Sequence, residues 1–122
     1  MLEEKLDVLV VADVIDEDTK KYILKASDFF QNEMKINDET KVEVFLIHLA
    51  MDESRRRKNE VLDAKMEEII RNEIKNHLNF TECKEVWSRL SKYIGEEVYS
   101  ENELEFIYLH LLNLLVADKH VS

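Results

Sequence analysis

No proline occurs in the 122 residues, and glycine occurs once, at Gly95. Proline stops helices, and glycine supplies the left-handed turns of tight hairpins and the close backbone approaches of phosphate-cradling loops. A chain almost devoid of both can sustain long helices. It lacks the turns that parallel-sheet enzymes and glycine-rich phosphate loops need. Lys, Glu and Leu dominate the remainder, so the expected fold is all-α, a single-domain helical bundle of about five helices.

Apolar spacing of three and four locates the helices. Tyr22, Ile23, Ala26, Phe29 and Phe30 predict one from Asp18 to Met34, with Asp16 or Asp18 as its start signal. Asp38 is placed to cap a second, running to about Lys58 with Val42, Phe45, Leu46, Leu49 and Ala50 on one stripe. A third is expected from about Val61 to Leu78 through Leu62, Met66, Ile69, Ile70 and Ile74. Thr81 is the expected cap of a fourth, through Val86, Trp87, Leu90 and Ile94, and Gly95 ends it in a left-handed conformation. Ser100 and Glu103 are spaced as a capping box that opens the last helix, through Leu104, Ile107, Leu111, Leu114 and Leu115. The segment from Leu6 to Ile15 is β-branched enough to be a strand, but a lone strand among helices has no partner for its backbone groups. A helix is expected there.

At this length one domain can bury roughly two thirds of its unfolded surface. No apolar run reaches the length of a membrane span, and the acidic start of the chain does not read as a signal peptide. A single cysteine, Cys83, excludes an internal disulfide and fits a reducing cytoplasm. The net charge of −10, from 27 acidic and 17 basic side chains, would repel a phosphate backbone, so direct nucleic-acid binding is not expected and a protein partner is.

Two histidines lie in the middle of the two most apolar helical stretches, Phe45-Leu46-Ile47-His48-Leu49-Ala50-Met51 and Phe106-Ile107-Tyr108-Leu109-His110-Leu111-Leu112. Imidazole titrates near neutrality and its ring nitrogens are nucleophilic. Helical periodicity puts Glu103, Phe106, Ile107, Asn113 and Leu114 on the face of His110, and Lys41, Val44, Phe45, Met51, Asp52 and Arg55 on that of His48. Each histidine is thus expected on the border between core and a polar seam. Glu103 and Asn113 can orient the first ring, and Asp52 can hold the tautomer of the second. The plain alternative is two structural core histidines.

The segment from Ser100 through Asn113 resembles the second histidine motif of the PTS regulation domain (PRD): an acidic pair, two variable residues, Phe-Ile-x-Leu-His, then an aliphatic residue. Leu46-Ile47-His48-Leu49-Ala50 followed by Arg55 is similar to the His-Leu-Ala form of PRD-containing transcriptional activators. It departs from the Asp-His form of the sugar-operon antiterminators, because Ile47 stands where they carry aspartate; Asp52 is the local acid instead. The resemblance covers about residues 18 to 118, leaving 1–17 as an N-terminal extension expected to be helical and 119–122 as a tail.

The resemblance implies a dimerising helical bundle, with His110 as phosphate acceptor and His48 as the second. The implied donors are the phosphocarrier HPr or an enzyme II component of the sugar phosphotransferase system. It implies a stand-alone PRD, since most PRDs come in tandem beside a nucleic-acid-binding module and only some 16 residues precede this one. A homodimer, or a pair with another PRD-containing regulator, is the implied assembly in carbohydrate-operon control. A non-catalytic dimerisation or adaptor module with structural histidines is the rival reading.

The run Arg55-Arg56-Arg57-Lys58 reads either as a solvated helix end suited to the helix dipole or as a clamp with Arg55 reaching a phosphorylated His48. His77 and His120 are expected on the surface, and Cys83 lacks a neighbour that would activate it. No Glu-x-x-His or His-Glu-x-x-His spacing supports a metal site, and no nucleophile triad or oxyanion turn supports an enzyme. No cofactor is expected.

Overall fold

The structure, a computed structural model, describes residues 2–36, 39–60, 65–95 and 99–121, with side chains described as far as Val116. Among the described residues it is entirely helical, with six helices rather than about five, and no strand. They are α1 (Leu2–Val11), α2 (Glu17–Asp28), α3 (Glu39–Arg57), α4 (Glu68–Lys75), α5 (Phe80–Ile94) and α6 (Glu101–Val121). A π-helical segment, Phe29–Met34, continues α2. Among the described residues, no helix is long and apolar enough to cross a membrane.

Where the sequence implies one bundle over 18–118, the chain forms two compact units, Met1–Val61 and Leu62–Ser122. The N-terminal α1 packs on α2 within the first unit, and Leu6 is completely buried. His48 belongs to the first unit and His110 to the second.

In the first unit α2 packs on both α1 and α3. Asp16 caps α2, its carboxylate accepting the Thr19 backbone N–H at 2.6 Å. The core is aromatic: Phe30 meets Phe29 and Phe45 edge to face, with centroids 5.5 and 5.6 Å away. Phe29 and Phe30, adjacent at the start of the π-helical segment, are both buried. Lys35, at φ 54°, then ends the helix, and its N–H donates to the Phe30 carbonyl. Asp13 and Asn59, at φ 60° and 57°, turn the chain after α1 and α3 in the same left-handed way. With glycine so scarce, three non-glycine residues adopt a conformation that glycine takes without steric cost. The expected cap Asp38 lies outside the described residues.

In the second unit α6 packs against α4 and α5. Val86, Trp87, Leu90 and Ile94 of α5 are buried as their spacing requires, and Gly95, at φ 119°, ends the helix. The cap position of α5 is Asn79; Thr81 lies one residue inside the helix that it was expected to open. The third expected helix is the main departure. Only Glu68–Lys75 is helical, Lys65 to Glu67 are not, and Val61–Ala64 lie outside the described residues. Met66 and Ile74 are buried, whereas Ile69 and Ile70 face outward, 72 and 40 % exposed. Asn76 ends the helix, and the turn that follows is closed by the Asn79 N–H donating to His77 Nδ1 at 3.0 Å. Asparagine and histidine here offer the backbone local partners that compete with helix continuation.

Candidate functional site

His48 is exposed on α3, although Phe45, Leu46, Leu49 and Ala50 around it in sequence are buried. It stands at the rim of an open groove of about 480 Å³ between α1 and α3. Val8 and Leu9 form one wall of this groove, and Val44 and Ile47 the other. Val8 and Val44 are 65 and 51 % exposed. Lys5 and Glu43 bridge the two helices at 2.7 Å, and the hydrogen bond from Lys5 holds the Glu43 carboxyl below the ordinary range. The N-terminal extension therefore builds half of the surface beside the histidine. In the sequence this segment is a β-branched apolar run, Val8 to Val11, which does not tell on which side it packs.

One turn beyond His48 the chain carries an ion-pair cluster. Asp52 is buried and receives the Arg55 guanidinium through Nη2. Glu53 is 0 % exposed and takes three donors: Arg56 Nε at 2.6 Å, Arg56 Nη2 at 2.9 Å and Arg57 Nε at 2.9 Å. Arg57 also lies 6.0 Å from the centre of the Tyr22 ring. The run is thus not a solvated helix end: its three arginines are each about 70 % covered and are paired along their own helix. Nor does Arg55 wait free for a phosphate, since Asp52 holds it. The i,i+3 and i,i+4 spacing of Glu53 to Arg56 and Arg57 announces these pairs, but not that Glu53 is buried.

The same turn fastens α3 to the connection between α1 and α2. Ser54 Oγ donates to the Val14 carbonyl at 2.8 Å, and Lys58 Nζ donates to the same oxygen at 3.4 Å. Asp16, which opens α2, is held below the ordinary carboxylate range first by the Thr19 backbone N–H and also by the nearby charge of Arg57.

In the second unit His110 is half-buried on α6. Its expected supports diverge: Glu103 is 4 % exposed and Asn113 is exposed. The capping box forms on its serine side, Ser100 Oγ accepting the Glu103 N–H at 3.3 Å. Tyr108 is stacked edge to face on Phe80, with centroids 5.8 Å apart, and its carbonyl accepts the Cys83 thiol at 3.5 Å. Burial pushes that thiol up to about 12, which removes it from thiolate chemistry near neutral pH. A second hollow of about 230 Å³ has an apolar floor of Ile74, Leu104 and Tyr108 and is edged by the Arg71–Glu105 pair at 2.8 Å.

Among the described residues, no group of three His, Cys, Asp or Glu side chains is gathered as a metal site would require. His48 is exposed, so its side chain can be reached from solvent. No family model, curated protein or solved structure matches the chain.

Proposed function

We propose that the chain is a regulatory domain of the PTS regulation type, in which His48 and His110 accept phosphoryl groups and the added charge alters dimerisation or the binding of a second regulator. The observation that carries this reading is the exposed His48, set among buried apolar neighbours on α3 at the rim of an open apolar groove. A structural histidine at such a place would be packed. An acceptor must be reached.

The donor would be a phosphohistidine carrier, HPr or an enzyme II component. A ring nitrogen of His48 attacks the phosphorus, the donor's P–N bond breaks as the new one forms, and the proton lost by one imidazole is regained by the other. Each transfer adds a group of roughly −1.5 to −2 charge, by analogy with other phospho-residues. Exposure favours His48 as the faster acceptor. His110, half-buried beside Ile107, has to emerge before it reacts, because an unpaired dianion left under apolar cover costs several kcal/mol.

The domain is non-enzymatic in this reading and works in the cytoplasm, where the phosphotransferase carriers are. Incubation with phosphoenolpyruvate, enzyme I and HPr, followed by measurement of acid-labile phosphate, tests it. Stoichiometric label is expected, and its absence with every donor tried would remove the proposal. The rival reading, a helical dimerisation or adaptor module, is favoured by the exposed Val8, Val11 and Val44 of the first unit. It predicts self-association without phosphate uptake.

A further inference from the structure

Arg71 and Lys75 stand one turn apart on α4, and Glu101 and Glu105 one turn apart on α6, so each pair shares a helix face. All four line the open hollow of about 230 Å³ in the second unit, over a floor of Ile74, Leu104 and Tyr108. Its rim is therefore sorted by sign, with cations on one helix and carboxylates on the other. The Arg71–Glu105 pair is imperfectly made. Arg71 Nε lies 2.8 Å from Glu105 Oε1, yet its N–H is not aimed there. Glu105 Oε2 has no donor among the described residues, although both it and Arg71 Nε are buried. Both side chains nevertheless keep part of their surface open, 30 and 22 %. The terminal torsion of a glutamate is soft, so turning this carboxylate toward the hollow costs little, Oε2 having no hydrogen bond to give up.

We propose that this hollow is a binding site for a free α-amino acid with an apolar side chain. The ligand's carboxylate lies against Arg71 and Lys75, its ammonium against Glu105 and Glu101, and its side chain on the apolar floor. A lone anion would meet the two glutamates, and a lone cation the arginine and the lysine. A molecule carrying both charges on one carbon answers both sides of the rim. Neither end of a peptide does so, which is why the ligand is a free amino acid. Binding leaves the Arg71–Glu105 attraction in place and adds the aligned partners that this pair lacks. Desolvation of the ligand's charges is thus offset by hydrogen bonds to ionised groups. The volume is below the roughly 300–1,000 Å³ of drug-sized sites and suits a molecule the size of leucine. This site is independent of phosphate chemistry at the histidines.

The test titrates the full chain, labelled with nitrogen-15, with L-leucine. Three comparison ligands each lack one feature: 4-methylpentanoate the ammonium, 3-methylbutylamine the carboxylate, and L-alanine the apolar body. The readouts are the Arg71 Nε–H resonance and the Phe80 and Tyr108 amides. With leucine they are expected to shift to saturation with a Kd of about 1 mM, and each comparison ligand to bind about tenfold more weakly. Arg71→Gln and Glu105→Gln are each expected to lose about tenfold in leucine affinity. Lys75 and Glu101 are exposed, so the Lys75→Gln/Glu101→Gln double variant keeps its fold even where those two do not. It is expected to lose about threefold. The absence of a saturable shift at about 20 mM leucine overturns the proposal. Equal binding of leucine and any comparison ligand overturns it too, as does unchanged leucine affinity in the double variant. Shifts confined to residues outside the hollow count against it in the same way.

Discussion

Glu53 is the residue on which the first unit depends most heavily for its charge balance. A carboxylate that is 0 % exposed is tolerable because Arg56 grips it with two nitrogens and Arg57 with a third. Replacing it with alanine would leave two largely covered guanidinium groups without their anion. Glu53→Ala is expected to cost about 3–5 kcal/mol, read as a fall in the urea midpoint. Asp16 and Glu43 contribute to the loss of stability in acid. Both carboxyls are held below their ordinary values, Asp16 by the Thr19 amide and Glu43 by Lys5. Their contribution is complete above the unfolded carboxylate range and is lost as pH falls through the lower folded values. Urea midpoints measured from neutral pH down to acid should therefore fall, and Asp16→Asn should fall less steeply. Cys83 gives a control in the second unit: its thiol, near 12 and 0 % exposed, should resist iodoacetamide at pH 8 until the chain is denatured.

At the scale of elements, the left-handed stops invite the simplest experiment. Lys35 at φ 54° ends the π-helical segment with a Cβ that the conformation disfavours. Lys35→Gly is expected to stabilise the chain by up to about 1 kcal/mol, visible as a higher Tm by circular dichroism. Phe45→Ala should do the opposite, at about 3–5 kcal/mol, because it empties the edge-to-face site against Phe30. Helices α5 and α6 were legible from sequence because their stripes, the glycine stop and the serine cap all agree. The π-helical segment was not, since Phe29 and Phe30 fit an α-helical stripe equally well. The third helix was over-read: Ile69 and Ile70 continue an apolar period that Met66 and Ile74 begin, and period alone does not say which apolar residues a neighbour will cover. Burial of Glu53 was illegible for the same reason, being decided by what packs over it rather than by its spacing.

For the whole molecule, the near absence of proline and glycine was enough to fix an all-α chain, and the structure bears that out among its described residues. The division into two compact units was not visible in composition or in any linker. His48 belongs to the first of these units and His110 to the second. His48 offers an exposed ring beside a groove, while His110 is half-buried on the longest helix. The central claim is that these rings accept phosphate, and one measurement reaches it directly. Acid-labile phosphate is counted after incubation with phosphoenolpyruvate, enzyme I and HPr, for the natural chain and for the His48→Ala/His110→Ala double variant, with helicity checked by circular dichroism. The account predicts stoichiometric uptake by the natural chain and none by an equally helical double variant. Equal uptake by both would show that the two histidines are structural.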